Sequence, residues 1–189
     1  MKTAINNINE IIINKSRFIC LTYNISNVNE VSSKLDEVKK LYECATHYCY
    51  AYIIDGMEKA CDDGEPSGTA GIPILNVLQK EGLQNVLCVV VRYFGGIKLG
   101  AGGLVRAYSK ACKEGLIITT LDKGYLIEIS FEYNKIKDIE YLLSDSIIVS
   151  KNFDSSPIFK VKINIDKYNE IINKLNMISD VRIIEDIYI

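Results

Sequence analysis

Two segments carry side chains that ordinary packing has no need for. The first is Cys61-Asp62-Asp63-Gly64-Glu65-Pro66-Ser67-Gly68-Thr69-Ala70-Gly71-Ile72-Pro73. The second is Arg92-Tyr93-Phe94-Gly95-Gly96-Ile97-Lys98-Leu99-Gly100-Ala101-Gly102-Gly103-Leu104-Val105-Arg106. In the second, an apolar run gives way to a loop with five glycines and then to a helical pattern. Glycines let backbone N–H groups close on a ligand, and a helix N-terminus adds partial positive charge, so the combination suits an anion. Arg92, Lys98, Arg106, Lys110 and Lys113 follow one another with no acidic residue before Glu114. That local field favours phosphate. The known nucleotide loops do not match: Gly-Lys-Ser/Thr is missing, and Gly100-x-Gly102-Gly103 departs from G-x-G-x-x-G. The plainer use of the same glycines is a tight turn or close helix packing.

The first segment gathers Asp62, Asp63 and Glu65 behind Asp55 and Glu58. Neighbouring carboxylates can ligate a hard cation such as Mg2+. They can equally build a polar turn, with Ser67 and Thr69 bonding the local backbone. A third use is internal: the acidic loop pairs with the basic helix start and holds both loops together. Nucleophilic chemistry finds little support. Ser67 lacks a G-x-S-x-G elbow, and Cys61 sits beside two carboxylates that disfavour a thiolate. The single histidine, His47, lies near Cys44, Cys49 and Cys61, but the spacing is irregular for zinc. His47 is open to acid–base work or to a satisfied, half-buried place in the core. Tyr48, Tyr50 and Tyr52 could stack on bases, or pack beneath a helix.

These residues need a scaffold, and the pattern supplies strands alternating with helices. Ile8–Ile13 and Arg17–Tyr23 read as a hairpin around Asn14-Lys15-Ser16. Val28, Val31, Leu35, Val38 and Leu41 have helical spacing, opened by an Asn27/Glu30 capping-box pattern. His47–Ile54 reads as a strand with the three tyrosines on one face and Cys49, Ala51 and Ile53 on the other. Residues 55–72 read as one long loop, with Pro73 opening a short helix that Gly82 closes. Val86–Tyr93 is a nearly continuous apolar run, expected as a central strand buried on both faces. Gly95–Gly103 reads as a loop before a helix from Leu104 to Glu114, stopped by Gly115. After Gly124 no glycine occurs. There the order is strand Tyr125–Glu132, helix Asn134–Leu143 with Ile136, Ile139, Tyr141 and Leu143 mostly inward, strands Ser146–Ser150 and Ile158–Ile165, helix Lys167–Asn176 and strand Val181–Ile189. This β-α-β-β-α-β order is the ferredoxin-like arrangement.

The whole chain has 189 residues, 22 Lys plus Arg and 24 Asp plus Glu, with net charge −2. It fits one large or two small domains, and 48% hydrophobic residues exclude global disorder. The charge balance argues against a bulk polyanion binder, and no DNA partner is expected. No segment reads as a signal peptide or a membrane span. The six cysteines show no C-x-x-C spacing and are expected as reduced thiols in the cytoplasm. The boundary is placed near Leu121–Gly124, giving domains 1–122 and 123–189.

The two loops resemble the IMPACT family, in its bacterial two-domain form. The likeness is carried by Lys15-Ser16-Arg17-Phe18-Ile19, Ala45-Thr46-His47, Cys49, Ala51-Tyr52 and Asp63-Gly64-Glu65-Pro66-Ser67-Gly68-Thr69-Ala70-Gly71. It continues through Arg92-Tyr93-Phe94-Gly95-Gly96 and Lys98-Leu99-Gly100-x-Gly102-Gly103-Leu104-Val105-Arg106-Ala107-Tyr108. So many joined elements in one order make it specific, and it spans about residues 15–115.

The resemblance implies an α+β protein: an N-terminal domain like ribosomal protein S5 domain 2 (RNase PH-like), then a ferredoxin-like domain resembling one in elongation factor G. Both fold analogies point toward RNA or the ribosome; eukaryotic relatives act in translational control, which leaves a translation-related protein as a further expected partner. No reaction follows from the resemblance. The expected ligand-binding residues are His47, Asp63, Glu65, Ser67, Thr69, Arg92, Tyr93, Lys98, Gly100, Gly102, Gly103 and Arg106. No catalytic residue, cofactor or metal is assigned. The competing readings are a metal-dependent hydrolase of phosphate esters or peptides, using Asp62, Asp63, Glu65 and His47, and a protein-interaction module.

Overall fold

A computed structural model describes residues 1–189. In chain order the elements are β1 (Lys2–Ala4), β2 (Asn7–Ile13), β3 (Ser16–Asn24), α1 (Asn29–Leu41), β4 (His47–Ile54), β5 (Met57–Cys61), α2 (Gly71–Lys80), β6 (Val86–Tyr93), α3 (Gly100–Gly115) and β7 (Ile118–Thr120). They are followed by β8 (Lys123–Phe131), a 3-10 turn at Tyr133–Lys135, α4 (Ile136–Leu142), β9 (Ile147–Phe153), β10 (Pro157–Asn164), α5 (Ile165–Ile178) and β11 (Ser179–Tyr188). The chain forms two compact units, Lys2–Thr120 and Leu121–Ile189, with Met1 belonging to the second. Both mix strands and helices, so the α+β expectation holds. No helix is long and apolar enough to cross a membrane.

The first unit is built on an antiparallel sheet in the order β2-β3-β6-β4-β5. Strand alternation sends β6 side chains to both faces in turn. Val86, Cys88 and Val90 enter a core with Phe18, Cys49, Ala51, Ile74, Leu78 and Tyr108, under α2 and α3. Leu87, Val89 and Val91 enter a second core with Ile19, Leu21, Tyr52 and Val31, under α1. β6 is therefore buried from Val86 to Arg92, as its apolar run predicts. Tyr48, Tyr50 and Tyr52 all pack on the α1 side, the plainer of their two readings. On the other side the thiols of Cys20, Cys88 and Cys112 line up, with Sγ–Sγ separations of 3.5 Å from Cys88 to each neighbour.

Turn chemistry explains where the elements begin and where expectation needs correcting. Asn14 and Lys15 both adopt positive φ, 46° and 64°, which closes the β2–β3 hairpin as expected. Asp55 and Gly56 do the same at 48° and 75°, so the expected loop 55–72 in fact contains β5, paired to β4. α2 starts at Gly71, two residues before Pro73, which sits inside its first turn. α3 starts at Gly100, whose φ of +68° turns the chain into the helix. Gly102 and Gly103 are thus helical, and only 94–99 remains as loop. Of the capping box before α1, the Asn27 half is present: its Oδ1 accepts from the Asn29 N–H at 2.9 Å. β1 pairs with β7, a short ribbon the pattern did not announce.

The second unit is one four-stranded antiparallel sheet, ordered β11-β8-β10-β9, with α4 and α5 packed over Ile127, Ile129, Phe159, Val161 and Ile163. This is the expected ferredoxin-like topology. Asn164 caps α5 by accepting from the Asp166 N–H at 2.7 Å. Tyr141 corrects its expectation: it is 80% exposed, on the outer side of α4.

Candidate functional site

The site begins with a pairing of strands. His47 at the start of β4 lies opposite Arg92 near the end of β6. Alternation puts both on the face covered by α2 and α3. The Asp62–Gly71 loop and the N-terminus of α3 approach the same corner. Between them lies a cavity of about 370 Å3, lined by Thr46, His47, Glu65, Pro66, Arg92, Phe94, Lys98, Leu99, Gly100, Ala101 and Leu104. That volume is in the range of ligand pockets, roughly 300–1,000 Å3. A larger groove of about 680 Å3 runs past Phe131, Tyr133 and Met177 in the second unit. Its charged lining residues are Glu132, Lys135 and Asp180.

The floor of the cavity is a buried polar network. Arg92 Nη1 donates to Glu65 Oε1 at 2.5 Å, and the two side chains are 6% and 4% exposed. Tyr108 OH donates to the same oxygen at 2.8 Å. The Arg92 guanidinium lies over the rings of Phe18 and Phe94, at 5.3 and 5.5 Å from their centroids. Its Nη2 reaches Ser16 Oγ at 3.4 Å, while its buried Nε has no acceptor. Glu65 Oε2 accepts no hydrogen bond from the chain, and His47 Nε2 lies 3.9 Å from it. The other ring nitrogen, Nδ1, donates to the Asp63 carbonyl at 2.8 Å. Because a carbonyl only accepts, the proton sits on Nδ1 and orients the ring. Cys49 Sγ donates to the Asp62 carbonyl at 2.9 Å. Burial pushes the Cys49 thiol well up, beyond the range of a nucleophile. Burial also pushes the Tyr108 phenol up, so it stays a donor.

The acidic loop satisfies itself. Asp62 accepts from the N–H groups of Gly68, Ala70 and Gly71 at 2.8–2.9 Å. Burial alone would raise its carboxyl, but those amides hold it below the ordinary value. Asp63 Oδ2 accepts from the Tyr48 N–H at 2.6 Å. The three carboxylates thus diverge to separate tasks, and no group of three or more His, Cys, Asp or Glu converges as a metal site would. The expected pairing with the basic helix start is replaced by pairing with Arg92 on β6, which neutralises the charge Arg92 was to lend.

The mouth differs from the floor. No side chain caps α3, whose first turn is Gly100-Ala101-Gly102-Gly103. Lys98, exposed, precedes it. Phe94 stands at the rim, 46% exposed. Its N–H donates to Thr46 Oγ1 and that of Gly95 to Ser16 Oγ, at 3.0 and 3.1 Å.

Of the expected ligand-binding residues, His47, Glu65, Arg92, Lys98 and Gly100 line the cavity. Asp63 stands behind His47. Thr69 is turned to the Pro66 carbonyl at 2.6 Å, and Ser67 is exposed outside. Tyr93 lies on the opposite face of β6, donating to the Glu43 carbonyl and covered by Arg17. Arg106 is exposed on α3 beside Gly102, whose added Cβ would lie 3.5 Å from its Nη1. Gly103 faces the Leu99 side chain. Phe94, Pro66, Leu104 and Tyr108 were not anticipated. The available signal was Arg92, a charge closing a buried apolar run, which demands a buried partner.

The profile of the Impact N-terminal domain matches residues 14–116. The IMPACT family member YvyE of Bacillus subtilis is 46% identical over 153 residues, covering 78% of this chain and 70% of its own. The IMPACT family member YigZ of Escherichia coli is 35% identical over 173 residues, covering 86% and 85%. A crystal structure of a hypothetical protein, 29% identical, superposes with a TM-score of 0.65 over 97% of both chains.

Proposed function

The chain belongs to the IMPACT family, and on that premise we propose that it is a translation-linked binding protein that holds a nucleotide phosphate, free or in RNA. The phosphate sits at the mouth of the cavity, against the first turn of α3. One observation carries this reading: an uncapped helix N-terminus made of Gly100-Ala101-Gly102-Gly103, with Lys98 beside it and an aromatic ring at the rim. Orphan N–H groups and the helix dipole favour an anion there. Arg106, exposed on the same helix, extends the positive edge along a strand of RNA. The ribosome or a translation-related protein is the partner class in which such a segment would be met.

Filter binding of a short oligouridylate at about 50 and 200 mM salt tests it. Affinity should fall steeply with salt, and Lys98→Ala should weaken binding while reducing the logarithmic salt slope by about one. Lys98→Glu should cost about tenfold or more, the equivalent of ~1.4 kcal/mol. Binding indifferent to both salt and Lys98 rejects the phosphate seat. Pull-down with and without nuclease separates RNA from a protein partner.

A further inference from the structure

We infer that the floor of the cavity reads the base of the bound nucleotide and selects guanine, a reading that rests on the phosphate seat proposed above. The reason is an acceptor pair with no donor. Glu65 Oε1 is fixed by Arg92 and Tyr108, so the carboxylate cannot turn. Oε2 then faces the cavity with nothing in the chain to accept from, on a side chain 4% exposed. The open side of this carboxylate can accept from a ligand N–H in place of water, and a hydrogen bond to a charged acceptor is among the stronger ones. Beside it, 3.9 Å away, is His47 Nε2. The proton on Nδ1 is held by the Asp63 carbonyl, so in the neutral ring Nε2 is a second acceptor.

The ligand must therefore present two neighbouring donors inward and a negative charge outward. A lysine or arginine side chain offers the donors, but the α3 N-terminus and Lys98 repel its cation at the mouth. A nucleotide satisfies both ends. Among the bases, guanine alone sets two donors side by side, N1–H and the 2-amino group. Adenine and cytosine each offer one amino donor flanked by a ring acceptor, which would face the second acceptor of the floor. Uracil has one N–H between two carbonyls. The walls offer surface to a flat ring: Phe94, with the Arg92 guanidinium over it, lines the cavity together with Pro66 and Leu104.

The test uses the full chain and a labelled hexauridylate in which one central base is guanine, inosine, adenine, cytosine or uracil, followed by fluorescence polarisation. The guanine oligomer should bind about tenfold tighter than the adenine, cytosine and uracil oligomers. Inosine, which lacks the 2-amino group, should lose most of that advantage. This comparison needs no variant. Glu65→Gln should level the series, with the melting curve confirming that it folds. Guanosine monophosphate added as competitor separates sources: displacement at similar concentration assigns the site to free nucleotide, and displacement by guanine-bearing RNA alone assigns it to RNA. Equal affinity across the series, or preference for another base, overturns guanine selection and leaves the salt-dependent phosphate seat standing. Absence of binding by every oligomer and by the monophosphate overturns both.

Discussion

The side chains of Glu65 and Arg92 are paired at 4% and 6% exposure, so truncating either strands the other. Glu65→Ala should lower stability by about 3–5 kcal/mol, read as a reduced urea midpoint at unchanged slope. Tyr108→Phe removes only one donor to the same carboxylate and should cost about 1 kcal/mol. Asp62 makes a pH-dependent contribution. Its carboxyl titrates lower in the folded chain than in the unfolded one. The stabilisation is therefore present above the unfolded value, about 3.9, and is lost as pH falls through the lowered folded value. Urea midpoints of the unaltered chain should exceed those of Asp62→Asn at neutral pH and converge with them as pH drops below about 4.

At the scale of elements, the cavity loop is held by a turn distant in sequence. A Cβ on Gly95 would fall 2.0 Å from the carbonyl of Lys15 in the β2–β3 turn. Gly95→Ala must push the two apart, at a cost of about 1–3 kcal/mol. It should also weaken oligouridylate binding, because the loop carries Phe94 and Lys98. Thermal melts and polarisation check the two effects separately. Elements with strong periodicity were legible: β6 from its unbroken apolar run, β4 from its alternating tyrosines, α1 from its spacing and Asn27. The missed elements had overlapping signals. Asp55-Gly56 is a hairpin turn, but the charged Met57–Cys61 strand behind it reads as loop. Gly100–Gly103 reads as loop because glycine is a poor helix former, and here the helix start is kept by Gly100's positive φ instead. At the site, the sequence located the two loops but not who faces whom. That depends on strand parity, which joins Arg92 to Glu65 and sends its neighbour Tyr93 to the other side.

For the whole molecule, each unit buries a core made only of its own residues. Residues 1–120 and 121–189 expressed apart should each unfold in one cooperative transition by circular dichroism, and the first should carry the proposed oligouridylate binding by itself. A non-cooperative melt of either piece would show that its core is not sufficient. The line of thiols inside the first unit has a consequence for handling the protein. Cys20 and Cys88 are 68 positions apart and meet only once β3 and β6 have paired. Before that moment all six sulfurs are loose in solution, and air can join the wrong two. Renaturation without a reducing agent should therefore leave covalently scrambled chains, visible as a ladder on a non-reducing gel, whereas a reductant present from the start should return one band.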